Sequence, residues 1–100
     1  MPYCYSLVQQ GTTLATRPFA KRLRAEVVRE AEGQELVELD FSGVLSASHS
    51  FVDEFVAQLA EDSQRREVNF GVAISGAAPN VEARIAKALE SREVQLHELA

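Results

Sequence analysis

The chain has 100 residues, of which 46% are hydrophobic and 25% are charged, and its formal net charge is −5 at pH 7. These values are typical of a single globular domain, and they exclude a disordered chain or a coiled coil. The negative charge argues against a general nucleic-acid binder, and no apolar run approaches the ~20 residues that a membrane span needs.

The only cysteine, Cys4, excludes an internal disulfide framework and a multi-thiolate metal site. The N-terminus lacks the basic and then apolar pattern of a signal peptide. We therefore expect a cytoplasmic protein whose single domain covers residues 1–100, with neither a nucleic acid nor a membrane as its partner.

The chain begins with two short extended segments. Residues 3–8 place their larger apolar side chains at alternate positions, which is the period of a half-buried strand. A Gln-Gly turn at residues 10–11 leads to a second extended segment at residues 12–15. We expect these segments to form a hairpin that adds an antiparallel edge to a sheet.

A first helix is predicted from Thr16 to Gly33. Thr16 is a suitable N-cap, Pro18 suits the first turn, and Gly33 can end the helix in the left-handed conformation. One apolar stripe at helical spacing faces the core: Phe19, Leu23, Val27 and Ala31. Residues 35–41 then predict a strand whose second face is partly solvated, because it carries Leu36, Glu38 and Asp40.

The second half of the chain continues this alternation. Apolar residues at helical spacing predict a second helix over residues 51–62, and alternation predicts a strand over residues 68–74. A third helix begins at Pro79 or Asn80. A final strand is expected over residues 94–99.

Strands that alternate with helices indicate parallel neighbours joined by right-handed crossovers. The predicted fold class is therefore α/β: a mixed, mostly parallel sheet of about four or five strands with about three packed helices. Three helices of modest length leave part of one sheet face for solvent or for a partner.

The sequence offers few groups for catalysis or metal binding. His49 lies between two serines without an acidic orienting residue, and His97 is expected to face solvent in the last strand. Cys4 is expected to be a buried, unreactive thiol. The acidic pairs 53–54 and 61–62 are typical of solvated helix positions, and no glycine-rich phosphate loop is present. We therefore expect no enzyme, catalytic residue, cofactor or metal ion.

The first helix carries five of the ten basic residues of the chain: Arg17, Lys21, Arg22, Arg24 and Arg29. They interleave with Glu26, Glu30 and Glu32, which is typical of a solvated face with internal salt bridges. A docking surface for an acidic partner is the alternative. The sequence leaves both interpretations open.

A serine-rich turn joins the predicted strand 35–41 to the second helix. Ser50 and Asp53 form a variant capping box, and either Ser48 or Ser50 can cap the helix, which is worth about 1 kcal/mol. A helix N-terminus favours a phosphate, and a phosphoserine at Ser50 would add about two negative charges near Asp53 and Glu54. Such a change could break a packed interface without unfolding the domain.

Two motifs resemble the bacterial STAS-like family of unknown function, which is related to the STAS domains of anti-anti-sigma factors and sulfate transporters. Asp-Phe-Ser-Gly-Val at residues 40–44 is followed by Ser-Phe-Val-Asp-Glu at residues 50–54, close to the pattern of that family. The helix entry at residues 16–20 and the helix at residues 81–89 also fit. The resemblance covers about residues 12–91 and implies a single STAS-like domain.

By this resemblance, Ser50 lies where anti-anti-sigma factors carry their phosphorylated serine. In that family a partner kinase with a GHKL-type ATPase fold modifies the serine and releases the complex, so the nucleotide belongs to the partner and this chain needs no cofactor. The candidate partner-binding residues are Ser46, Ser48, His49, Ser50, Asp53 and Glu54. The sequence departs from the usual STAS pattern at three positions, which alters the charge and shape of this surface: Ser48, His49 and Phe51.

The sequence therefore predicts a cytoplasmic regulatory module that binds a protein partner through residues 46–54 and is gated by phosphorylation at Ser50. One alternative is a homodimer or adaptor formed through an uncovered sheet face or edge, without a switch. Another is a sensor of a small anion or nucleotide at a helix N-terminus. The absence of lysine and arginine between Phe41 and Gln64 argues against the sensor.

Overall fold

The computed structural model describes residues 3–98, and this range contains five strands and three packed helices. The strands are β1 (Tyr3–Ser6), β2 (Thr13–Leu14), β3 (Leu36–Asp40), β4 (Ser46–Ala47) and β5 (Gly71–Ser75). The first helix is α1 (Arg17–Glu30) and the last is α4 (Pro79–Arg92). Between them, one continuous helix, which we call the central helix, consists of α2 (His49–Val52), a π-helical turn (Asp53–Ala57) and α3 (Gln58–Gln64). None of the helices described is both long enough and apolar enough to cross a membrane.

All the strand pairings in residues 3–98 are parallel. Strand β3 lies between β1 and β5 in a three-stranded sheet, whereas β2 and β4 form a separate two-stranded sheet. The α/β class with parallel strands and three packed helices is thus confirmed. The expected antiparallel edge is wrong, because a 3-10 turn at Leu7–Gln10 redirects the chain and β2 pairs with β4 instead.

Helix α1 begins and packs as the sequence predicts. The Thr16 hydroxyl accepts a hydrogen bond from the Phe19 amide at 3.3 Å, and Pro18 lies in the first turn. Leu23 and Val27 of the apolar stripe are buried. The helix is therefore specified by residues close together in the sequence.

The core lies between one face of the three-stranded sheet and the helices. Val37 and Leu39 of β3 point to this side and are fully buried. The central helix contributes Phe51 and Phe55, whose ring centroids are 5.5 Å apart, and Phe55 also lies 6.2 Å from the ring of Tyr5 in β1. Full burial of one such side chain stabilises a fold by about 1.5–3 kcal/mol, so these rings anchor the central helix to the sheet.

The opposite face of the three-stranded sheet is polar and partly solvated, as predicted. Ser75 is half-buried there and donates a hydrogen bond to Glu38 Oε2 at 2.6 Å. Cys4 pairs in register with Glu38 and is exposed. The prediction of a buried thiol is wrong because Cys4 lies on this solvated face, whereas its neighbour Tyr5 in the same strand lies on the core face and is buried. Partial desolvation and the carboxylates of Glu38 and Asp40 raise the pKa of the Cys4 thiol, which keeps it protonated and weakly nucleophilic.

Strand β5 is shorter at its start than the alternation of residues 68–74 predicts. The amides of Glu67 and Val68 both donate to the Asp62 carbonyl, at 2.8 and 3.4 Å, and Arg66 has a left-handed φ of 61°. These bonds hold the chain in a turn after the central helix, so the strand begins at Gly71.

The predicted last strand does not form in the part of the chain that the structure describes. Glu93 ends α4 in the left-handed conformation, with φ of 56°. Residues 94–98 then run beside β5, where the His97 amide donates to the Val72 carbonyl at 2.7 Å without building a ladder. The His97 side chain is exposed, as predicted, and Leu99 lies outside the described residues.

We expect Gly76→Ala to destabilise the protein more than Gly33→Ala. Both glycines have a positive φ, 67° and 86°, which an alanine adopts only with strain. At Gly76 an added Cβ would also lie 2.0 Å from Ser42 Oγ and 3.0 Å from Asp40 Oδ1, whereas at Gly33 it would meet nothing within 4 Å. Urea unfolding should show a loss of about 1–2 kcal/mol for Gly33→Ala and at least about 1 kcal/mol more for Gly76→Ala. Equal losses would contradict the close approach of the ends of β3 and β5.

Candidate functional site

The start of the central helix is capped by Ser48. Its Oγ accepts a hydrogen bond from the Phe51 amide at 3.0 Å, as an N-cap does. The same hydroxyl donates to the Ala15 carbonyl at 2.5 Å, and the Ser48 amide donates to the Leu14 carbonyl at 2.8 Å. Ser48 therefore joins the helix start to strand β2 and the residue that follows it.

The helix begins at His49, so Ser50 lies inside its first turn. The predicted capping box of Ser50 with Asp53 is wrong for this reason, and the cap belongs to Ser48. The side chains of His49 and Ser50 are both exposed. The hydroxyl of Ser50 is thus not needed to begin the helix.

An exposed leucine lies in the loop before β4. Leu45 is 69% exposed, while its neighbour Val44 is buried. The backbone of Leu45 is fixed, because its amide donates to the Thr12 carbonyl at 2.8 Å and its carbonyl accepts a hydrogen bond from Asn80 Nδ2 at 3.1 Å. Single apolar residues are common on protein surfaces, but this fixed position near the helix start makes Leu45 a candidate contact. The sequence reasoning missed it, since two adjacent apolar loop residues do not show which one turns outward.

A shallow depression of about 270 Å³ lies beside the helix start, between the β2–β4 sheet and α4. Polar side chains contribute to its lining: Thr13, Ser46, Ser48, Asn80 and Arg84. Ser46 is half-buried in β4, where it pairs in register with Thr13. Arg84 brings to this place a cation that the sequence between Phe41 and Gln64 lacks, because α4 packs against the central helix.

Asp53 is bound by arginines from two other helices. Arg92 of α4 donates from Nε to Oδ1 at 2.8 Å and from Nη2 to Oδ2 at 3.0 Å, and Arg17 of α1 donates from Nη1 to Oδ2 at 2.9 Å. The hydrogen bonds from Arg92, together with those from Arg17, outweigh partial burial and lower the pKa of Asp53 to about 2. The prediction that Asp53 is a solvated helix position is wrong.

Glu54 is paired in a similar way. Arg24 donates from Nη2 to Oε2 of Glu54 at 2.7 Å and from Nε to its backbone carbonyl at 3.0 Å, and Arg17 Nη1 reaches Oε1 at 3.3 Å. Burial opposes the ionisation of Glu54, but the hydrogen bonds from Arg24 and Arg17 prevail, so its pKa is lowered. Arg24 also lies 3.7 Å from the buried Asp62, which accepts a hydrogen bond from Gln58 at 2.9 Å.

The π-helical turn at Asp53–Ala57 carries both carboxylates. Such a turn widens the helix locally and changes the direction in which the following side chains point. Here Asp53 and Glu54 meet the arginines, while Phe55, Val56 and Ala57 are fully buried. The sequence of residues 51–62 gives no signal of the π turn, because its apolar residues recur at the spacing of an ordinary α-helix.

The six predicted contact residues are therefore near one another but differ in role. His49 and Ser50 are exposed, and they follow the exposed Leu45 by four and five residues in the chain. The others make internal contacts: Ser46, Ser48, Asp53 and Glu54. Within residues 3–98, no three side chains of His, Cys, Asp or Glu converge on a point that could hold a metal ion.

A family model described as a STAS-like domain of unknown function matches residues 20–82. The match includes most of α1, the strands β3, β4 and β5, and the whole central helix. It therefore contains all the candidate residues between Ser46 and Glu54. No curated protein and no solved structure matches the chain.

Ser48→Ala should lower the free energy of unfolding by about 1–2 kcal/mol, because it removes the cap and the hydrogen bond to Ala15. Ser50→Ala is the matched control: it removes a hydroxyl from the same turn, and we expect a change of about 0.5 kcal/mol or less. Chemical denaturation followed by circular dichroism measures both variants. A larger loss for Ser50→Ala would contradict the assignment of the cap.

Asp53→Asn should lower the free energy of unfolding by about 1–3 kcal/mol at neutral pH, because Arg92 then loses a charged acceptor. A carboxyl whose pKa is lowered on folding stabilises the protein above its unfolded pKa, near 4, and loses this contribution as the pH falls through the folded value of about 2. The difference between wild type and variant should therefore shrink between about pH 4 and about pH 2.

Urea unfolding over this pH range measures that difference. Arg65→Gln is the control, because its exposed guanidinium lies 3.8 Å from Glu61, and such a pair is worth about 0.5 kcal/mol or less. A difference between wild type and Asp53→Asn that does not change with pH would show that the ion pair with Arg92 does not stabilise the fold.

Proposed function

The chain belongs to the family of STAS-like domains of unknown function (DUF4325), and from this membership we propose that it is a regulatory module that binds a protein partner. The proposed contact is the helix-start surface, which we define as Leu45, Ser46, Ser48, His49 and Ser50. In this proposal the module acts in the cytoplasm and has no catalytic residue or cofactor of its own.

The different roles of Ser48 and Ser50 carry this proposal. Ser48 is occupied by the cap and by its bond to Ala15, whereas Ser50 is exposed in the first turn. A partner can therefore cover Ser50, or an enzyme can modify it, without removing the cap that begins the helix. Leu45, five residues before Ser50, adds an exposed apolar side chain that a partner could cover.

A phosphate on Ser50 is the proposed switch. Asp53 and Glu54 follow Ser50 by three and four residues, so they lie on the same side of the helix, and arginines of α1 and α4 balance their charge. A phosphate would add a charge of about −1.5 to −2 that these arginines do not already balance. The surface would then repel an acidic partner and resist burial in an interface, and the complex would dissociate.

Asp53 and Glu54 have an indirect role in this proposal. Their carboxylates are bound inside the molecule by Arg92, Arg24 and Arg17, so they are not free to contact a partner directly. They set the charge near Ser50 and hold the helix start between α1 and α4. We therefore propose them as residues that position the contact.

The proposed partner is a kinase with a GHKL-type ATPase fold. This choice rests on the resemblance of residues 40–54 to anti-anti-sigma factors, whose partners have that fold. Such a partner brings its own ATP, which suits a chain of 100 residues without a glycine-rich phosphate loop.

A capture experiment from a lysate of the source organism tests the proposal. The baits are wild type, Ser50→Ala, Ser50→Asp and a matched control, Ser91→Asp, which adds the same charge at an exposed serine of α4. We expect Ser50→Asp to recover a GHKL-type ATPase at least about tenfold less than the other three baits, as a loss of about 1.4 kcal/mol in binding would give. Mass spectrometry identifies the protein.

The captured ATPase and ATP should then add one phosphate to wild type and to Ser91→Asp, but not to Ser50→Ala, as intact-mass measurement can show. Equal capture by all baits would remove the switch and favour an adaptor. A mass that rises with concentration, without any captured protein, would favour a homodimer formed through the open face of the three-stranded sheet.

A further inference from the structure

Helix α1 separates its charged side chains by sign. Glu26 Oε1 accepts a hydrogen bond from the Tyr5 hydroxyl at 3.0 Å, and Glu30 Oε1 accepts one from the Tyr3 hydroxyl. Both glutamates are therefore engaged by tyrosines of β1. Within residues 3–98, no ion pair joins the acidic and the basic side chains of α1 to each other.

Most of the basic side chains of α1 are exposed, whereas Glu26 and Glu30 bind tyrosines of β1. Arg24 turns inward to Glu54, but the side chains we call the basic stripe are exposed: Arg17, Lys21, Arg22 and Arg29. Lys21 follows Arg17 by four residues and Arg29 follows Lys21 by eight, and the exposed Ala25 lies midway between Lys21 and Arg29. At 1.5 Å per residue the stripe is about 18 Å long.

Much of this positive charge is unpaired inside the molecule. Lys21, Arg22 and Arg29 make no ion pair within residues 3–98. Arg22 lies 5.0 Å from the centre of the Phe19 ring, which holds its guanidinium over an apolar face. Arg17 binds Asp53 and Glu54, and its side chain is still 45% exposed. Such a stripe is notable in a chain whose net charge is −5.

We propose that the basic stripe docks an acidic α-helix of a partner protein. Carboxylates four residues apart on such a helix recur at the spacing of Arg17, Lys21 and Arg29, and arginine binds carboxylates through paired hydrogen bonds. The small side chain of Ala25 lets the partner helix approach between the cations. The net charge of −5 disfavours a nucleic acid or an anionic membrane as the partner. Such an extended anionic partner is repelled by the summed negative charge of the protein.

A second copy of this chain is not the proposed occupant. The exposed face of α4, the other long outer helix, mixes both signs: Glu82, Arg84, Lys87 and Glu90. The stripe also does not depend on the modification of Ser50. A negative result in the peptide experiment below would therefore not contradict the proposed phosphorylation switch. Likewise, a negative result for the switch would not contradict the docking of an acidic helix on the basic stripe.

The test uses a fluorescent, alanine-rich helical peptide with glutamate at every fourth position, and the same peptide with glutamine instead. Each is titrated into wild type, into the variant with Lys21→Glu, Arg22→Glu and Arg29→Glu, and into a matched variant with Arg66→Glu, Arg84→Glu and Lys87→Glu. Both variants change the net charge equally, and the matched residues are exposed and do not belong to α1. Fluorescence anisotropy at low and at high salt measures the dissociation constants.

We expect wild type and the matched variant to bind the glutamate peptide in low salt, and the stripe variant to bind it about tenfold more weakly, since three exposed ion pairs are lost. Binding should weaken at high salt, and the glutamine peptide should not bind. Equal weakening in both variants, or equal binding of both peptides, would overturn the proposal. So would tighter binding to phosphatidylserine vesicles or duplex DNA than to the peptide.

Circular dichroism and thermal unfolding show whether the variants are folded. Should charge reversal unfold the stripe variant, the same titration with Lys21→Gln, Arg22→Gln and Arg29→Gln replaces it, because these changes remove the charge without adding repulsion. Unchanged affinity in that folded neutral variant would equally overturn the proposal.

Discussion

The fixed position of the central helix is the constraint on which the rest of this structure depends. Its inner side is anchored by Phe51 and Phe55, which are fully buried against the sheet and α1. Its outer side is bound by arginines of α1 and α4 through Asp53 and Glu54. Rotation of the helix would expose aromatic rings and separate ion pairs at the same time, so the direction in which Ser50 points is determined by the packing.

The ion pairs around the π turn connect the central helix to both α1 and α4. Partly buried charges lose hydration, and only good geometry offsets that loss. The geometry here is good: Arg92 binds both oxygens of Asp53, and Arg24 binds a carboxylate and a backbone carbonyl of Glu54. These bonds fix how α1 and α4 lie against the central helix, which the apolar core alone would define less sharply.

The two proposed binding surfaces meet at Arg17. This residue is part of the basic stripe of α1 and also donates to Asp53 and Glu54, next to the helix-start surface. A phosphate on Ser50 would add negative charge on the side of the helix where Arg17 lies, and an acidic partner helix would attract the same guanidinium. The stripe does not depend on this shared residue, because Lys21, Arg22 and Arg29 make no ion pair with Asp53 or Glu54.

The sequence by itself determined the periods of the helices and strands, the cap of α1 by Thr16, and the family. It also determined that the serine-rich turn precedes a helix. Helix periods, strand periods and helix caps can be predicted because they depend on residues only a few positions apart. It did not determine the parallel pairing of β1 with β3, the exposure of Cys4, or the choice of Ser48 as the cap.

The tertiary structure decided which charged groups meet. Arg92 and Asp53 are separated by 39 residues, and Arg24 and Glu54 by 30, so no local spacing relates them. The same packing turned the glutamates of α1 toward Tyr3 and Tyr5 and left four of its five basic side chains exposed. A side chain's own type sets what it can bind, but its partner depends on which helix the burial of apolar surface brings beside it.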